Sequence, residues 1–143
     1  MATLVFILSG FSALTFEVLW VRLASHSLGV TTWAVSVVVS TFMGGLALGG
    51  LIFGPPADRS KRPSWMYAKL EFLIALTALG ASLVLQKLPQ WGLGFTAQVA
   101  LIAATLLIPC TLMGGTLPAL GRAVAQLGAS KACLLYTSDA ADE

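Results

Sequence analysis

Charge is what this sequence has least of. Of its 143 residues, 10% are charged and 57% are hydrophobic, and the mean hydropathy is +0.89. A water-soluble domain carries about 25% charged residues, because its surface must be solvated. The deficit excludes a globule wrapped in water and makes lipid part of the solvent. Acid is scarcer still. Glu17, Asp58, Glu71, Asp139, Asp142 and Glu143 are the full set, and the last three fall at the extreme C-terminus. Ahead of residue 133 the basic residues outnumber the acids 8 to 3. That excess suits a membrane protein with basic loops and is too scattered for a nucleic-acid-binding stripe. Histidine occurs once, at His26, and cysteine twice, at Cys110 and Cys133. These give no basis for a zinc site or a disulfide framework. We expect no metal, no cofactor in this chain and no nucleic-acid partner.

What the sequence does have is long apolar runs. Crossing the hydrocarbon core takes roughly 20 mostly apolar residues in a helix. Four stretches qualify, near 2–24, 32–53, 64–86 and 95–113. An open sheet would leave amides unpaired in lipid, so strands are excluded. The first run is longer than a signal-peptide core and lacks a basic start and a small-residue cleavage site, so it reads as retained. The expected fold is all-α: a polytopic transmembrane helix bundle fragment of four spans. Past Met113, the residues Leu117, Leu120, Val124 and Leu127 recur at helical spacing. They predict an interfacial amphipathic helix near 117–128, or a continuation of the fourth span out of the bilayer.

Basic residues set the expected orientation. Arg59, Lys61, Arg62, Lys69, Arg122 and Lys131 fall on one side, and Arg22 and Lys87 on the other. The positive-inside rule then puts the 54–64 loop and the N-terminus in the cytoplasm. His26 falls in the outer loop. Trp65, Tyr67 and Trp91 flank the spans at headgroup depth, as interfacial anchors do.

Several polar and small residues are candidates for function. Glu17 lies fifteen positions into the first span, about 22 Å along it. An isolated carboxylate there costs on the order of 2.5 kcal/mol or more, so it must be protonated, paired or facing water. Arg22 is about 140° around the helix and poorly placed to pair with it. Glu17 is therefore either a proton or cationic-substrate site or a buried carboxyl hydrogen-bonded to a neighbouring helix. Glu71 sits two turns inside the third span, where Lys69 or a loop arginine is the expected partner. In the second span, Gly45-x-x-x-Gly49 and Gly50-x-x-x-Gly54 follow Ser36, Ser40 and Gly44 at four-residue intervals. Such rows let helix backbones approach closely in lipid, as a static contact or a gliding surface. Pro109 and Pro118 bracket Gly114 and Gly115. Lost donors and weak helix formers together predict a kink or break there.

The stretch "GPPADRSKRP" resembles the loop between the second and third spans of major-facilitator transporters. Gly54, Asp58, Arg59 and Arg62 fall on the motif positions, while Lys61 replaces a glycine and Pro63 a basic residue. In such transporters the aspartate and arginine tie helix ends together. A fuller resemblance is carried by "LSGFSALTFEVLWVRL", "TFMGGLALGG", "ADRSKRPSWMYAKLEF" and "PCTLMGGTLPALGR". In order and spacing these resemble the N-terminal membrane region of bacterial fused major-facilitator/spermidine synthase proteins, from Leu8 to Arg122. Glu17, Trp20 and Arg22 match its "E-x-x-W-x-R" run, and Leu112 to Pro118 its "L-M-G-G-T-L-P" run.

The resemblance implies a bacterial inner-membrane region that anchors a soluble aminopropyltransferase-like domain. It also implies binding or movement of a polyamine or related cation. No glycine-rich nucleoside turn or acid cluster of such a catalytic domain occurs here, so this chain is expected not to be an enzyme. The expected partners are the lipid bilayer, the missing C-terminal part of the same protein and a small cationic substrate. The alternative is a fragment of a major-facilitator-type secondary transporter. The tail "CLLYTSDAADE", residues 133–143, reads codon by codon as translated sequencing adapter. It is expected to be artefactual, with the natural chain cut within or just after the interfacial helix.

Overall fold

The computed structural model describes the backbone of residues 2–139 and the side chains of residue 4 and residues 7–126. Four helices account for nearly all of it: α1 (Ala2–Leu28), α2 (Thr31–Arg59), α3 (Pro63–Lys87) and α4 (Phe95–Asp139). A short 3-10 turn, Leu88–Trp91, joins α3 to α4. Each of the four helices is long and apolar enough to cross a membrane. No strand occurs among the described residues. The chain is an all-α bundle of membrane-spanning helices.

The helices end where the backbone is given a reason to stop. Gly29, at φ 68°, takes the left-handed conformation that closes α1. Pro63 opens α3 at its first position, where its missing donor costs nothing. Gly92, at φ 60°, releases the turn after α3. Links this short fold the chain up and down, so α1 and α3 run parallel, as do α2 and α4. Two hydrogen bonds confirm the first pairing. Ser9 Oγ donates to Glu71 Oε1 at 2.7 Å, and Trp20 Nε1 donates to Ser82 Oγ at 3.1 Å. Both join residues 62 apart in sequence, a constant offset that only parallel helices give.

α2 and α4 meet along a seam of small residues. A methyl group added at Gly49 would strike the backbone oxygen of Thr111 and sit 2.8 Å from Gly114 Cα. One added at Gly114 would strike the Leu46 carbonyl oxygen, and one at Gly45 would strike Cys110 Cβ. Backbone meets backbone here, the packing that small residues permit in lipid. Gly115 instead receives the Phe53 ring. The seam uses one of the two glycine rows read from the sequence. Gly44, Gly50 and Gly54 have nothing within 4 Å of an added methyl, and Ser36 and Ser40 are exposed. We therefore expect Gly44→Ala to leave stability unchanged or to raise it by up to about 1 kcal/mol through helix propensity. Unfolding in mixed micelles measures this.

Three expectations are corrected. The 54–64 segment is not a loop from Gly54, because α2 continues through Pro55 and Pro56 to Arg59 and leaves only residues 60–62 as a link. Proline's fixed φ suits a helix, and in a membrane the lost donors cost less where interfacial water serves the freed carbonyls. Likewise there is no break at Pro109, Gly114, Gly115 or Pro118, since α4 is continuous through all four. Gly114 and Gly115 lie against Leu46 and Phe53 of α2, so packing from the neighbouring helix supports this stretch where helix propensity is weak. Of the two readings given for 117–128 the structure takes the second, since α4 continues through it, burying Ala119 and Ala123 while Leu117 and Val124 stay exposed. His26 belongs to the last turn of α1 rather than to a loop. The side chain of Leu127, residues 140–143 and the side chains of the 133–143 tail lie outside the described residues.

Candidate functional site

The buried core gathers at the end of the bundle where α1 finishes. Trp20, Ala24 and Leu28 of α1 meet Ala34 and Val38 of α2, Ala78, Ala81 and Leu85 of α3, and Ile102 and Leu106 of α4. Trp20 is wholly buried and stacks on Phe16 with ring centroids 5.6 Å apart. At the same end Trp33 and Phe95, which open α2 and α4, meet edge to face at 5.7 Å. The opposite half of α1 is not packed in this way. Leu4, Ile7, Leu8, Phe11 and Leu14 are all exposed, Phe11 by 70%.

Between the two hydrogen bonds that join α1 to α3 lies a cavity of about 640 Å³. The bonds are eleven residues apart on each helix, about 16 Å. All four helices contribute to the walls. α1 supplies Ser9, Gly10, Ser12, Ala13, Leu14 and Phe16, and α3 supplies Tyr67, Glu71, Ile74, Ala75 and Leu79. Phe42 and Leu46 of α2 close one side, and Met113, Thr116, Leu117 and Leu120 of α4 another. The volume falls within the range of small-molecule sites, about 300–1,000 Å³. The lining is mostly hydrocarbon with a few polar groups, as such sites usually are.

Those polar groups converge at one place. Glu71 is the one charged residue in the lining, and Ser9 is the hydroxyl bonded to it. The buried Tyr67 hydroxyl lies beside both, aligned for a hydrogen bond with neither. Ser12 and Thr116 are spent on their own helices, donating to Leu8 and Met113 carbonyls. Lys69, which with a loop arginine was the partner expected for Glu71, instead places its Nζ 5.3 Å from the centre of the Trp65 ring. A strongly hydrated ammonium prefers that exposed aromatic face to a burial that would strip its water.

The other candidates stand apart from this cavity. Glu17 is half-buried and does not line the cavity. Arg22, Asp58, Arg59 and Arg62 are exposed. Pro109 borders a separate open groove of about 320 Å³ between α3 and α4, with Thr77, Gly80 and Thr105. Among the described residues no three His, Cys, Asp or Glu side chains cluster as metal ligands. Sequence reasoning read Tyr67, whose hydroxyl is buried here, only as an interfacial anchor, and missed Ser9 and the cavity itself. The pair Ser9 and Ser12, three residues apart on one helix face, was the one local sign of it.

This arrangement can hold a cation: a carboxylate, two hydroxyl oxygens and apolar walls shared by four spans. No protein-family model matches the chain, and no curated protein or solved structure is similar to it.

Proposed function

We propose that this chain is the N-terminal membrane region of a fused major-facilitator/spermidine synthase-like protein. In this reading it anchors an aminopropyltransferase-like domain at a bacterial inner membrane and offers a carboxylate to a polyamine or related cation. The transfer chemistry belongs to the domain beyond this chain. The observation that supports cation binding is Glu71, seated on Ser9 with Tyr67 beside it inside an apolar cavity. A carboxylate kept in such surroundings is costly unless a positive group completes it.

Two measurements test the reading. An amine that binds the bundle in lipid nanodiscs should lose about tenfold or more in affinity on Glu71→Gln, which keeps the acceptor for Ser9 but removes the charge. Unchanged affinity would move the site away from Glu71. An independent genomic read past Lys131 should continue into a soluble α/β domain with a glycine-rich turn. Further apolar spans without such a domain would mark the chain as part of a plain transporter instead.

Orientation is part of the same proposal, with the 60–62 link and the N-terminus cytoplasmic. A cysteine at Ser60, with Cys110 and Cys133 replaced, should resist an impermeant maleimide applied to intact cells and react after permeabilisation. Labelling from outside would invert the topology.

A further inference from the structure

We propose that the cavity takes a single primary ammonium carried on a hydrocarbon body, rather than a free polyamine. This rests on the reading of Glu71 as the cation site. An –NH₃⁺ group has three donors and no acceptor. The polar corner offers it a carboxylate and the oxygens of Tyr67 and Ser9, one of them a buried hydroxyl with no hydrogen-bond partner. The rest of the ligand meets Ala13, Phe42, Leu46, Ile74 and Met113, which carry no charge and no free polar group. A second or third ammonium on the same molecule would enter that region without a counter-charge. It would shed its water for nothing, which buried charge does not tolerate. A hydrocarbon body, by contrast, gains close packing there. Charge complementarity therefore stops at one positive group.

The same headgroup chemistry could arrive as a free amine or as an aminolipid. Glu71 is eight residues from the start of α3, about 12 Å from the helix end and within reach of headgroup depth.

The test is saturable binding of radiolabelled octylamine to the full chain in phosphatidylcholine nanodiscs. Octylamine should bind tighter than octanol, its neutral counterpart, by about tenfold or more, and tighter than the matching terminal diamine and spermidine. Glu71→Gln should abolish the preference over octanol. Tyr67→Phe should weaken octylamine severalfold while leaving octanol unchanged, a difference that misfolding would not produce. Competition by added phosphatidylethanolamine would assign the ammonium to lipid, and no competition would assign it to a free amine. Spermidine or the diamine binding more tightly than octylamine would overturn this inference while leaving Glu71 as the cation site. Failure of every amine to bind above octanol would overturn the site as well.

Discussion

Gly49→Val should separate α2 from α4, and Gly114→Val should do the same from the other side. An added Cβ at either position meets backbone, which cannot rotate out of the way as a side chain can. Overpacking in an ordinary core costs about 1–3 kcal/mol, because neighbouring side chains shift to absorb it. Here the helices themselves must move apart along the seam, so the upper end of that range or more is expected. In lipid no hydrophobic force presses helices together, and lost close packing is not recovered elsewhere. Steric-trapping or mixed-micelle unfolding should show the loss for both variants. Gly44→Ala and Gly50→Ala serve as controls, because an added methyl there meets nothing. Equal behaviour of Gly49 and Gly44 variants would mean that the glycine seam is not what joins the two helices.

Trp20→Ala should be the most damaging truncation in α1, at about 3 kcal/mol. That is the low end for an aromatic in a core, since the unfolded helix faces lipid rather than water. Trp20 is wholly buried, stacks on Phe16 and donates to Ser82, so its loss opens a void and removes a hydrogen bond between α1 and α3. Ser82→Ala should cost about 1 kcal/mol, because it removes the one hydrogen bond between the two helices here, together with a bond to the Ala78 carbonyl of its own helix, and leaves the ring packed. The difference separates packing from hydrogen bonding at this end of α1. Near-equal losses in the two variants, measured by the same unfolding, would mean that the ring contributes little beyond its donor. Phe11→Ala, at an exposed position of the same helix, should be close to neutral.

The spans were legible in the sequence for a simple reason. Lipid demands about 20 apolar residues per crossing, and few other structures produce that pattern. Helix ends were less legible. Pro55, Pro56, Pro109 and Pro118 are stop signals where water competes for backbone groups, and in this bundle the helices run through all four. The glycine pattern in α2 showed that a close contact existed but not which face made it. Gly44 and Gly45 lie about 100° apart on the helix, and only the partner distinguishes them. The cavity was the least visible. Its polar corner joins Ser9 to Glu71 across 62 residues, and no local periodicity links two such positions. Glu17, the costliest residue by depth alone, does not line the cavity, whereas Glu71, nearer the helix end, does.

The parallel pairing of α1 with α3 also sets a timetable for synthesis. The Ser82 codon is read 62 residues after that of Trp20. At about 5–20 residues per second, a ribosome needs about 3–12 s to supply it. During that interval Trp20 has been made and its acceptor has not, so the indole donor is unanswered. Folding of this end is thus paced by translation, and slowing the ribosome between the two codons should lengthen the life of a two-helix hairpin before the third helix locks it.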